Sequence, residues 1–257
     1  MNIEKITVGP AVLEVATDGS GDTILLLPFA GGDITHFDRF TPMIAEAGFR
    51  TVAVNPRGVS ESTGPLEDLT LHDLAADVGG LIEVLGNGPA HVLGTSFGTR
   101  VARCLAADRP DLVRSLVLVS PVGLEGVSDP ESAAAARTVF RTDISDIERQ
   151  DAAAVAFLSP ESDTDLVQHL RIWHTAHDAH IAGSRATPPE EWWTAGQAQI
   201  LVVQGLDDRA GIANGHELQD RLGERVRLVE VASAGHFCFL ERPLEVAEAV
   251  TSFLHEH

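Results

Sequence analysis

The sequence predicts an α/β protein with a mostly parallel sheet of eight strands, helices on both faces, and an inserted helical cap. Two observations predict the sheet. Continuous apolar runs at 24–27 and 200–203 suit strands covered on both faces. Segments with helical periodicity separate such runs, and this alternation builds parallel sheets through right-handed crossovers. A third observation predicts the cap: over 123–196 the alternation stops and no convincing strand is present. The chain then divides into a core of 1–122 and 197–257, with 123–196 inserted after the sixth strand.

Each element has a local reason. Residues 3–8 and 12–16 read as two strands joined at Gly9 and Pro10, and 18–22 is a turn cluster. The strand at 24–27 runs into Pro28-Phe29-Ala30-Gly31-Gly32-Asp33, where a glycine pair frees backbone N–H groups to face a ligand. Thr41 and Pro42 suit the N-cap and first position of a helix ending at Gly48. A strand at 50–54 and a loop at 55–62 follow. Thr70 with Asp73 fits a capping box, and Leu71, Leu74, Ala75, Val78, Ile82 and Leu85 mark one helical face. Strands at 90–93 and 116–119 flank a helix expected from Phe97. In the cap, Asp129 and Pro130 open an Ala-rich helix. Asp163 to Asp165 open another, expected to run through Leu166, Leu170, Trp173, His174 and His177. Thr187-Pro188-Pro189-Glu190 reads as a further capping box. Strands at 200–203 and 226–231, then a helix over 243–254, close the chain.

Composition sets bounds. At 257 residues the chain can bury one large core plus an insertion. A net charge of −20 disfavours nucleic acid and anionic membranes as partners, since both are polyanions. No apolar run approaches the roughly 20 residues that span a bilayer. The start, Met1-Asn2-Ile3-Glu4-Lys5, lacks a signal-peptide core, and two cysteines are too few for a disulfide framework. A cytoplasmic setting and a small-molecule substrate are therefore expected. A homodimer stays open.

The chemistry centres on Gly94-Thr95-Ser96-Phe97-Gly98, between a buried strand and a helix. This is the pattern of a nucleophile elbow. A serine at so sharp a turn has strained dihedrals, and side chains at 94 and 98 would collide with neighbouring backbone. The helix beyond aims free N–H groups at the place where an oxyanion would form. A lone serine is a poor nucleophile and needs a base with an orienting group. Of eleven histidines, His236 alone follows a glycine just past the last strand. His36, His72, His255 and His257 read as surface residues. Asp207 and Asp208 follow the preceding strand at the same end of the sheet.

Taken in order, these segments resemble the α/β-hydrolase family over almost the whole chain. Residues 94–98 match its elbow, and Phe29-Ala30-Gly31-Gly32 stands in its oxyanion loop. The stretch at 55–62 is similar to its Asp-x-Arg-Gly-x-Gly-x-Ser turn, Gly205-Leu206-Asp207-Asp208 to its Gly-x-x-Asp, and Gly235-His236 to its Gly-His. The resemblance implies Ser96 as nucleophile, His236 as base and Asp208 as orienting acid, with Asp207 as the alternative one residue away. It implies an oxyanion hole from the N–H groups of Ala30 and Phe97, with neither cofactor nor metal. Three positions depart from the pattern. Pro28 stands where many members have a loop histidine, so that loop must be held by other bonds. Asn55 replaces an Asp, and Ser60 a Gly. Ser96 excludes the members with an Asp nucleophile. The run at 27–32 also resembles the loop of type II thioesterases.

The expected activity is hydrolysis of an ester or lactone of a small, largely apolar molecule. Thioester cleavage, C–C bond hydrolysis and a receptor role on the same fold are the alternatives. Trp173, Trp192 and Trp193, all in the cap, suit either a substrate-pocket wall or packing between cap and core. His169, His174, His177 and His180 crowd one cap segment, but no Cys or carboxylate set completes a metal site there.

Overall fold

The computed structural model describes residues 2–124, 127, 129–168 and 170–257, with Ile212 and Ala213 as backbone only. Its strands are β1 (Asn2–Val8), β2 (Ala11–Gly19), β3 (Asp22–Leu27), β4 (Phe49–Val54), β5 (Ala90–Thr95), β6 (Val113–Val119), β7 (Ile200–Gly205) and β8 (Val226–Val231). They form one sheet in the order β1-β2-β4-β3-β5-β6-β7-β8. β2 pairs antiparallel with both β1 and β4, and every pairing from β4 to β8 is parallel. One reversed strand therefore sits in an otherwise parallel sheet. The strand order turns back between β3 and β5, and the loops leaving their carboxyl ends flank the crevice where open α/β sheets bind ligands.

The period of two along each strand sorts the apolar residues into two layers. Leu25, Val92, Leu116 and Leu118 face one layer, with α2 (Leu71–Leu85) and α3 (Gly98–Asp108). Ile24, Leu26, Leu93, Val117 and Val119 face the other, with α1 (Thr41–Glu46) and α10 (Pro243–Leu254). β3, β5 and β7 are buried on both faces, whereas β1 is an exposed edge strand. The Thr70–Asp73 capping box opens α2 as expected, and Gly86 in the left-handed region closes it. Phe40, not Thr41, caps α1, and α3 begins at Gly98 with Phe97 as its N-cap.

Between β6 and β7 the described residues hold no strand. They form α4 (Pro130–Val139), α5 (Asp146–Phe157), a single 3-10 turn (Thr164–Val167), α6 (His174–Ala186) and α7 (Pro189–Trp192). Asp129 caps α4 as expected. The capping box of α5, Ser145 with Glu148, is a signal the sequence reading passed over. Two expectations are corrected. The helix expected from Asp163 through His177 is interrupted, and His169 lies outside the described residues. The turn at 164–167 ends, and the chain restarts as α6 because the Trp173 N–H is drawn away to the Gly31 carbonyl at 2.9 Å. The capping box at Thr187 does not form, since the Thr187 hydroxyl donates to Gly183 O and accepts from Leu71 N–H. α8 (Ile212–Leu222) and the short α9 (Cys238–Glu241) complete the fold. No helix among the described residues is long and apolar enough to cross a membrane.

The three tryptophans divide. Trp192 and Trp193 are 2% and 6% exposed, meet edge to face, and both lie against the guanidinium of the fully buried Arg103 from α3, at 4.6 and 4.7 Å from their ring centres. Among the described residues Arg103 has no carboxylate hydrogen-bond partner. It donates to the carbonyls of Thr99 and Val122, and burial lowers its pKa to about 9. The ring faces compensate that buried charge, which is the packing role. Trp192→Ala should therefore destabilise the protein by about 3–5 kcal/mol, the usual range for a buried aromatic. Urea unfolding with an unchanged substrate profile is the check; a changed profile at unchanged stability would restore the pocket role. Trp173 differs: it is half-exposed, and its indole N–H lies 3.4 Å from Asp33 Oδ2.

Candidate active site

Ser96 sits at the turn between β5 and α3 with φ +51°, in the left-handed region that β-carbon-bearing residues rarely occupy. The glycines on either side make this turn feasible. A Cβ on Gly94 would lie 2.4 Å from the Gly98 carbonyl group, and one on Gly98 would lie 2.3 Å from Leu27 O. The Ser96 N–H is bonded to Val119 O at 3.0 Å, which ties the elbow to β6. The serine hydroxyl makes no hydrogen bond among the described residues. Neither do the backbone N–H groups of Phe97 and Ala30, although both residues are almost fully buried.

The expected base and its expected partner are joined. His236 Nδ1 lies 2.9 Å from Asp208 Oδ2, and the residues are 6% and 1% exposed. The other Asp208 oxygen accepts the N–H groups of Ala210 and Gly211, each at 2.9 Å, so the carboxylate is fixed by its own turn. Gly205 is a glycine because a Cβ there would lie 2.1 Å from Ala234 O. This close approach brings the β7 loop against the His236 loop. Asp207 points elsewhere: it accepts from Ser159 Oγ at 2.6 Å, and its N–H donates to Ala234 O. Of the adjacent pair, Asp208 faces the imidazole.

Burial disfavours a charge on His236, but the Asp208 charge and hydrogen bond, with Glu241 behind them, hold its pKa above the usual value. Glu241 was not singled out from the sequence. Its carboxylate accepts from the N–H of Ser159 at 2.7 Å, the N–H of Gly235 at 2.8 Å and the hydroxyl of Ser162 at 2.6 Å. It therefore pins the histidine loop to the end of α5. No motif in the sequence marks it, because Ser159 and Ser162, two of its three partners, lie far away in the chain.

The surface reading of His36 is corrected. Its ring packs edge-on against Phe29, Phe37, Phe237 and Phe239. Its Nε2 is buried with no partner among the described residues, and burial, reinforced by the nearby His236, lowers its pKa to about 3. The ring also borders a cavity of about 730 Å³ whose wall includes Arg39, Arg149, Arg171 and Leu240. Ser96 does not line that cavity.

The loop after β3 has the other bonds that Pro28 demands. Asn55 Oδ1 accepts the Ile34 N–H at 2.8 Å, and Asn55 Nδ2 donates to Glu14 at 2.6 Å. Nearby, Arg57 forms a buried two-pronged pair with Asp77. A Cβ on Gly31, at φ +70°, would lie 2.7 Å from the His177 Cβ, so α6 rests directly on this loop. His177 stacks on Phe140 at 4.1 Å and pairs with Asp178. One trio among the described residues, His72, Cys104 and Asp108, brings ligand atoms within 4.8 Å of one another. There His72, whose side chain is 38% exposed, is already bonded to Asp108 and Glu191, each at 2.7 Å, as a surface residue.

Comparison with known proteins agrees with this architecture. A family model described as "alpha/beta hydrolase fold" matches residues 22–175, more than half of the chain. The 2-(acetamidomethylene)succinate hydrolase of Mesorhizobium japonicum is 35% identical over 117 residues, 45% of this chain and 41% of that protein. A dihydrolipoyllysine-residue acetyltransferase component of the acetoin cleaving system of Cupriavidus necator is 26% identical over 87% of this chain and 61% of its own length. Both matches thus span less than two thirds of the relative. Zearalenone hydrolase of Cladophialophora bantiana is 28% identical over 70% of this chain and 73% of its own. Among solved structures, E-2-(acetamidomethylene)succinate hydrolase superposes with a TM-score of 0.79 over 99% of both chains at 24% identity. An esterase from Thermogutta terrifontis does so with a TM-score of 0.79 over 100% and 99% at 21% identity. With the elbow, the strand order and the loop at Asp208 already in place, the chain belongs to the α/β-hydrolase fold family.

Proposed function

We propose that this protein is a serine hydrolase that cleaves a carboxylic ester or lactone of a small, largely apolar molecule. The observation that carries the reading is the buried His236–Asp208 pair beyond the same sheet end as a strained Ser96. Asp208 accepts from Nδ1–H, which leaves Nε2 as the lone-pair nitrogen. Nε2 takes the Ser96 proton as Oγ attacks the substrate carbonyl carbon. The carbonyl π electrons move to oxygen, where the unpaired N–H groups of Ala30 and Phe97 receive the charge. Collapse expels the alkoxide, which takes the proton from His236 and leaves an acyl-enzyme. Water then repeats the sequence and returns Ser96 with a free acid. The substrate is a small molecule, no cofactor enters any step, and the inserted helices form the cap over the site.

Labelling tests the nucleophile directly. A fluorophosphonate probe should add one adduct, and peptide mass spectrometry should place it on Ser96. His236→Ala should abolish the adduct, because a serine without its base is unreactive. Labelling at another serine, or none in the folded protein, overturns the reading.

A further inference from the structure

We propose that His180, on α6 of the inserted segment, is the positioning residue that sets the oxyanion loop of this chain. The inference rests on the reading of Ala30 and Phe97 as oxyanion donors. Pro28 cannot supply the side-chain bonds of the histidine that many members of the family carry there. His180 reaches the same loop from the far side of the sequence. Its ring is fully buried, and three separate contacts converge on it.

The Gly31 N–H, one residue past Ala30, donates to His180 Nδ1 at 3.4 Å. His180 Nε2 lies 3.0 Å from the Arg57 carbonyl, which can only accept, so Nε2 carries the proton and Nδ1 the lone pair. The two partners thus select one neutral tautomer, and burial supports it by lowering the pKa to about 4. The ring face stacks on Phe97 with centres 5.7 Å apart and planes 9° apart. One imidazole therefore touches the residue after one donor, Gly31, and the side chain of the other, Phe97. The Trp173 N–H completes the grip by donating to the Gly31 carbonyl at 2.9 Å. Both ends of the Gly31 residue are held by α6 and its N-cap, and the missing Cβ leaves room for that approach.

The two amide replacements of His180 separate positioning from bulk packing. In His180→Asn the side-chain oxygen falls near Nδ1 and can still accept from Gly31. In His180→Gln the amide falls near Nε2, keeping the Arg57 bond and losing the Gly31 one. With p-nitrophenyl butyrate, kcat of the Gln variant should fall about 10²-fold, the scale of one misplaced oxyanion donor, with little change in KM. The Asn variant should recover about tenfold of that loss, whatever the two melting temperatures. Equal losses in both variants, or losses that follow stability alone, overturn the proposal. A second measurement needs no variant: ¹⁵N spectra of the wild-type imidazole should show the Nε2–H tautomer, and Nδ1–H would overturn it. Failure of the wild type to label at Ser96 would sink the serine mechanism instead, so the two failures are distinguishable.

Discussion

Ser96→Ala should lower turnover by about 10⁶-fold, the loss seen when such a nucleophile is removed, while ligand binding stays nearly intact. The expectation follows from the elbow's geometry. Ser96 is held at φ +51° between two glycines at which an added Cβ would fall 2.4 and 2.3 Å from neighbouring backbone atoms. Alanine keeps the Cβ and the strained dihedral, so the turn survives and only Oγ is lost. Comparing kcat for an ester with the dissociation constant of a non-hydrolysable analogue is the measurement. If the variant keeps its biological response and the wild type turns over no ester faster than buffer, the protein is a receptor on this fold.

Asp208→Asn should cost about 10⁴-fold in kcat, because an amide that donates to Nδ1 selects the wrong imidazole tautomer. The same substitution at Asp207 removes only the acceptor of the Ser159 hydroxyl, so its effect should be far smaller. The reverse order of effects would move the orienting role to Asp207. Measuring both variants on one substrate settles the register, and the Asp208 variant should retain its fold because the Ala210 and Gly211 N–H groups keep one oxygen acceptor.

What the sequence reveals and what it hides follow one physical line. Strands such as β3 and β7 are legible because burial on both faces demands uninterrupted apolar residues. The turn at Ser96 and the loop at His236 are legible because close backbone approaches there need glycines at fixed offsets. Asp208 is legible only to within one residue, since both neighbours are carboxylates and the choice depends on which one the turn after Gly205 directs at the imidazole. The long helix expected from Asp163 fails because a tertiary bond, Trp173 N–H to Gly31 O, competes for the backbone. Glu241, His36 and His180 are hidden for the same reason: each has partners far off in sequence, such as Ser159, Phe237 and Arg57, and no local pattern records them. The Trp192 and Trp193 pair could not be assigned without knowing that Arg103 is buried beneath it.

The buried histidines have a consequence for proton exchange with the solvent. His36, His91 and His180 have folded-state pKa values lowered to about 3, 4 and 4, against 6.5 when exposed. Below pH 6.5 the unfolded chain binds protons at these sites that the folded chain refuses, so their contribution is complete above 6.5 and is lost as pH falls towards 4. His236 has the opposite sign. Its raised folded value makes its contribution complete below 6.5 and progressively lost as pH rises through that value. The interior imidazoles thus penalise acid and the site imidazole penalises base. Together they place the histidine optimum of stability near the unperturbed pKa, well above the isoelectric point of about 4.7.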